Sequence, residues 1–161
     1  MTQEAEQPTA GSVDDTASTL DQLIKTCKDG EKGFQAAAEA VNDPNLRHLF
    51  ESYAQQRTEF AAELEAELVR LAKDPPEQGH VAAALHRGWI DVKAALTGQD
   101  EGAVIAECER GEDLAVKAYQ KALATSLPSD LRVVVERQFI KIQEAHDQIR
   151  SLERVHSRYS S

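Results

Sequence analysis

Four residues whose types suit buried ionic or metal chemistry fall on the apolar helical stripes of this sequence: Glu31, Arg57, Glu112 and His146. Projected at about 100° per residue, Glu31 sits between Cys27 and Phe34, and Glu112 between Cys108 and Ala115. Arg57 lies between Tyr53 and Phe60, while Gln138 and His146 fall on the stripe of the last helix. Glu59 and Glu63 project about 100° or more from their stripe and read as flanking or solvent-facing. With helical turns centred near residues 43 and 127, Glu31 is level with about residue 55 and Glu112 with about residue 143, at equal rise per residue. The four side chains are therefore expected to converge at mid-height, one from each long helix.

A buried charge is costly unless paired, and two facing carboxylates need a cation between them. Two solutions are open. In the first, Arg57 is a fixed, forked donor that satisfies Glu31, Glu112 or both; the cluster is then structural, with no cofactor and no catalytic residue. In the second, iron or manganese is held by Glu31, Glu112 and His146, with Glu59 or Glu63 as a fourth ligand if the second helix is rotated. Di-metal carboxylate bundles use about four Glu and two His, with Glu-x-x-His on two helices. This chain has Gln56-x-x-Glu59 and Gln143-x-x-His146 instead. A guanidinium beside a di-metal centre also adds positive charge to a site short of ligands. The first solution is the preferred one.

The elements that must position these residues follow from periodicity. Helices are expected over about 18–41, 44–72, 101–125 and 131–157, with a shorter connector over about 80–96 that carries Val81, Leu85, Trp89, Val92 and Leu96 on one face. Ser18 or Thr19 is the expected first cap, and residues 1–16 read as a disordered acidic tail preceding a bundle over 17–158. Asn42-Asp43-Pro44 stops one helix and starts the next, with Asp43 as cap and Pro44 at the first helical position. Short turns make two antiparallel hairpins, and the connector returns the chain along the bundle. The fold class is all-α: a ferritin-like four-helix bundle with a short fifth helix between the hairpins.

The hairpins also resemble each other. Cys27-Lys28-Asp29-Gly30-Glu31 parallels Cys108-Glu109-Arg110-Gly111-Glu112, and Leu46-Arg47 parallels Leu131-Arg132. Gly30 and Gly111 sit mid-helix, where Gly costs about 1 kcal/mol against Ala, so a close approach is expected at each. Cys27 and Cys108 should lie on opposite sides of the Glu layer, too far apart for a disulfide.

Composition narrows the function classes. The chain has 161 residues, 41% hydrophobic and 29% charged, with a net charge of −10. Clustered Lys and Arg for phosphate binding are missing, so no nucleic-acid or anionic-membrane partner is expected. No apolar run is long enough to span a bilayer and no secretory signal is evident. With two cysteines, the expectation is a reduced, cytoplasmic protein. No phosphate loop, zinc Cys/His spacing or nucleophile elbow occurs.

The run Cys27 to Glu31, His86-Arg87-Gly88-Trp89, Glu109 to Asp113 and Glu144-Ala145-His146-Asp147 together resemble an uncharacterised bacterial family of ferritin-like four-helix-bundle proteins of unknown function. The resemblance covers about residues 18–155. It implies a ferritin-like bundle and a stress-associated role in bacteria, and it supplies no reaction. Two classes stay open: a non-catalytic interaction or assembly module, with a homodimer as one form of it, and a metal-binding redox or storage protein.

Overall fold

The computed structural model describes residues 10–72 and 101–160. Four helices occupy them: α1 (Ala10–Ala40), α2 (Pro44–Ala72), α3 (Glu101–Leu123) and α4 (Ser129–Ser160). The expected connector over 80–96, with His86, Arg87 and Trp89, lies outside the described residues. None of the described helices is long and apolar enough to cross a membrane.

The first helix starts earlier than its expected cap. Residues 10–16, assigned to the tail, continue α1, and Ser18 and Thr19 are interior helical residues. Thr16 is 3% exposed and stands one turn before the fully buried Leu20, so the stripe simply extends backward. No Gly or Pro interrupts it between Val13 and Asp29.

The first turn is closed as its residues suggest. Asp43 Oδ1 accepts the Asn45 N–H at 2.8 Å, and Pro44 opens α2. Glu101 of α3 adds a carboxylate that accepts the backbone N–H of Asp43 at 3.1 Å and of Asn42 at 3.3 Å. Arginines at matching hairpin positions do the same work at both turns. Arg47 donates to the Val41 carbonyl at 3.1 Å, and Arg132 to the carbonyls of Leu123 and Thr125 at 3.2 and 2.8 Å. Each covers acceptors that a helix end leaves without intrahelical partners.

Because Glu101 reaches the α1–α2 turn, α3 starts at the end of the bundle opposite the one where α2 finishes. That is the connectivity with one long crossover. α1 packs on α2 and α3, and α4 on α3 and α2, leaving α2 and α3 as one diagonal pair and α1 and α4 as the other.

Two apolar clusters fill the interior. One contains Leu20, Leu23, Ile24, Cys27, Phe60, Leu64, Leu68, Tyr119, Val135 and Ile142. The other contains Phe34, Val41, Phe50, Val104, Ile105, Cys108 and Ile149. Cys27 and Cys108 are free, buried and in different clusters, as the repeat spacing implies. Between the clusters runs a single layer to which α1 contributes Gly30, α2 Arg57, α3 Glu112 and α4 Ala145.

Removing the cap tests the turn. Asp43→Ala should cost about 1 kcal/mol, read as a lower urea midpoint with an unchanged slope.

Candidate functional site

In the middle layer, Arg57 and Glu112 meet across the α2–α3 diagonal. Nη1 donates to Oε2 at 2.6 Å and Nη2 to Oε1 at 2.7 Å, a bidentate pair in which the side chains are 1% and 0% exposed. Nε donates to Gln56 Oε1 at 3.1 Å, and the guanidinium carbon stands 5.4 Å from the centre of the Phe34 ring. Burial by itself would lower the Arg57 pKa, but the Glu112 charge and hydrogen bonds outweigh it and hold the guanidinium above its ordinary value. Tyr53, whose ring tilts against Phe34 at 5.3 Å, is pushed up to about 12 by burial and by the Glu112 charge.

Gly30 makes this placement sterically feasible. A Cβ there would stand 3.3 Å from Arg57 Nη1 and 3.4 Å from Arg57 Cγ. The close approach expected at Gly30 is thus with the arginine side chain itself.

Of the four predicted cluster residues, the structure brings together Arg57 and Glu112 and keeps the other two out. Glu31 is half-buried and makes no ion pair with Arg57. His146 points to the flank of the α3–α4 hairpin, where Nε2 lies 2.6 Å from Asp113 Oδ1 and Nδ1 lies 3.3 Å from Asp147 Oδ1. The reason is one residue of helical phase. The buried positions of α4 on either side of this height are Ile142, Ala145 and Ile149, so Ala145 fills the layer and His146 is turned about 100° away. On α1, Gly30 is inside and Glu31 is turned aside in the same way. The predicted ligand set Glu31, Glu112 and His146 therefore does not assemble. Glu59 is exposed and accepts from Gln55 at 3.1 Å, and Glu63 is taken by Arg137 and Gln138, so neither supplies a fourth ligand to the core.

A second polar chain crosses the bundle beside the pair and touches all four helices. Gln138 Nε2 donates to Glu63 Oε1 at 2.8 Å and faces the Phe60 carbonyl at 3.4 Å, which turns Oε1 toward Tyr119. Tyr119 donates its only proton to that oxygen at 2.7 Å, so Cys27 must donate to the Tyr119 hydroxyl at 3.2 Å. Burial, the chief cause, pushes the Cys27 thiol up to about 11, and the protonated thiol is the form the chain needs.

Sequence reasoning missed the group that His146 does join. Its Nε2, a Glu109 carboxylate oxygen and an Asp113 carboxylate oxygen lie within 4.8 Å of one another. Glu109 and Asp113 are four residues apart on α3, hence on one face. Their spacing and their height against His146 were legible; the phase of α4 was not. Arg150 Nε donates to Glu109 Oε2 at 3.1 Å, and Glu153 hydrogen-bonds to Glu109. That bond from Glu153, outweighing partial burial and joined by Arg150, holds Glu109 below the usual carboxylate range, while Glu153 is held above it.

Comparison with known proteins agrees with this architecture. A domain of unknown function, DUF2383, matches residues 15–125. The chain belongs to the DUF2383 family. This member is similar in structure to a Dps1 mutant of Mycobacterium smegmatis, with a TM-score of 0.73 at 12% identity over 90% of this chain and 99% of that one. It is also similar to a two-domain protein of Anabaena variabilis containing DJ-1/ThiJ/PfpI-like and ferritin-like domains, with a TM-score of 0.73 at 17% identity over 89% of this chain and 40% of that one. At these identities the likeness is one of fold: a ferritin-like helical bundle. No curated protein matches in sequence.

Two measurements check the site. Gly30→Ala would normally stabilise a helix by up to about 1 kcal/mol, but Arg57 is clamped and cannot yield, so the variant should melt lower than wild type. In an Arg57→Met background the same change should become stabilising. Glu63 is raised by partial burial, but hydrogen bonds from Arg137 and Gln138 and the Arg137 charge lower it below 4.5 on balance. Its contribution is therefore complete above pH 4.5 and lost as pH falls through the depressed folded value. Glu63→Gln should cost up to about 1 kcal/mol at pH 7, and the cost should shrink steadily in urea melts below pH 4.5.

Proposed function

We propose that this DUF2383 protein is a non-catalytic ferritin-like bundle in which a buried salt bridge holds the position a metal centre would take, and which acts through its outer surface as an interaction or assembly module in bacterial stress physiology. The observation that carries this is the bidentate Arg57–Glu112 pair, fully enclosed at the middle of the bundle. A fixed guanidinium there supplies the positive charge a bridging ion would supply, uses both oxygens of Glu112, and repels any further cation. The repeated hairpin positions, with one inward Glu retained and its counterpart Glu31 turned aside, fit descent from a duplicated helical hairpin. Self-association is one outlet for the outer surface, where Val133 and Ile140 stand 62% and 54% exposed seven residues apart on α4.

The alternative is a metal-binding protein. One observation favours it, and it lies outside the core: the Glu109, Asp113 and His146 group on the α3–α4 hairpin.

Removing only one partner of the core pair decides its role. Arg57→Met should lose about 3–5 kcal/mol because it strands Glu112. Arg57→Met/Glu112→Leu should regain most of that loss, since a buried pair can be replaced by apolar groups at little net cost. Any metal found by elemental analysis of protein grown with iron and manganese should be the same in wild type and in Arg57→Met/Glu112→Leu, which removes the core carboxylate without stranding a charge. Near-stoichiometric metal that disappears in that double variant would overturn the proposal.

A further inference from the structure

We infer that Glu109, Asp113 and His146 form a mononuclear site for a first-row divalent metal ion, of the manganese, iron(II) or zinc class, on the flank of the α3–α4 hairpin. This deepens the metal-binding alternative and does not depend on the core reading, because a salt-bridged core and an occupied flank are compatible.

The geometry is close to a coordination shell. Three donor atoms, one from each residue, lie within 4.8 Å of one another. Two ligands bound at about 2.1 Å can stand at most about 4.2 Å apart across one ion. Small rotations of the carboxylates cover the difference. The ion would replace the proton now shared between His146 Nε2 and Asp113 Oδ1 at 2.6 Å. The other ring nitrogen is already engaged, 3.3 Å from Asp147 Oδ1. A carboxylate on the far nitrogen is the usual outer partner of a metal-bound imidazole, because it fixes the tautomer that leaves Nε2 free to ligate.

The surroundings suit a dication. Four carboxyl groups, those of Glu109, Asp113, Asp147 and Glu153, gather around one arginine and one histidine. The His146 side chain is only 12% exposed, whereas Asp113 is 45% exposed, so the group is backed by the bundle and open on one side. That opening gives the ion a path in and leaves room for water as the remaining ligands. One imidazole with two carboxylates selects against soft ions that prefer thiolates, and the nitrogen favours transition metals over magnesium and calcium.

The hairpin also provides rigidity. Glu109 and Asp113 share a helical face four residues apart, and His146 faces them from the antiparallel partner, between the fully buried Ile142 and Ile149. No loop has to order for the three ligands to meet.

Titration of the metal-stripped full chain with Mn²⁺ and with Zn²⁺ tests the site. Calorimetry should give one ion per chain, with Zn²⁺ displacing Mn²⁺ from the same site. His146→Gln and Asp113→Asn should each weaken binding at least tenfold, while Glu65→Gln, at the exposed Lys28 pair, should leave it unchanged. A readout on the wild-type chain needs no variant: substoichiometric Mn²⁺ should broaden the His146 ring resonances before those of His48 and His156. Equal broadening of all histidines, affinity that survives His146→Gln, or no saturable binding would overturn the inference. Loss of binding in Glu112→Gln with His146 unaffected would instead point to the core and count against both this site and the salt-bridge reading.

Discussion

A buried arginine has one workable arrangement in this bundle, and the neighbouring structure is arranged around it. Arg57 is large, charged and almost wholly enclosed, so removing it from water is costly unless each guanidinium nitrogen is directed at an acceptor. Glu112 takes two of its hydrogen bonds and Gln56 a third. The side chain has to cross the α2–α3 diagonal, which puts it against α1, where a Cβ at position 30 would crowd it at 3.3 Å and glycine leaves it room. Phe34 then offers its ring face to the cation. Register is fixed by this geometry: a one-residue slip of α2 or α3 would leave two buried opposite charges unpaired.

The layer around the pair divides the apolar interior into two clusters, and the Cys27–Tyr119–Gln138–Glu63 chain ties all four helices together beside it. Its direction is forced at each step by what each group can donate, so the thiol end is protonated and chemically quiet. Polar groups inside the bundle are thus spent on alignment. On the flank of the second hairpin, by contrast, His146 and Glu109 are largely covered while Asp113 opens to solvent.

The closing of the turns shows how local chemistry and the fold reinforce each other. Asp43 caps α2 from within the turn, while Glu101 reaches the same turn from α3. That second contact places the Glu101 end of α3 beside the α1–α2 turn. Arg47 and Arg132 close the two hairpins in the same manner, which gives a physical role to residues that in the sequence are only a weak match.

What the sequence determined by itself is what depends on local periodicity and on residue type. Apolar spacing specified four long helices, Asn42-Asp43-Pro44 marked the first turn to the residue, and the cost of an unpaired charge required that Arg57 and Glu112, both on apolar stripes, be satisfied. Burial of Gln138 and Tyr119, and the separation of Cys27 from Cys108, followed from the same projection. Tertiary structure alone decided the rotation of each helix about its axis. A projection places a residue on a stripe to within about one residue, or about 100°, whereas the difference between Gly30 and Glu31, or between Ala145 and His146, is one residue. That phase is set by packing against neighbouring helices, which no single helix encodes. It turned Glu31 and His146 out of the core, left Glu112 as the sole acid on Arg57, and brought His146 to Glu109 and Asp113.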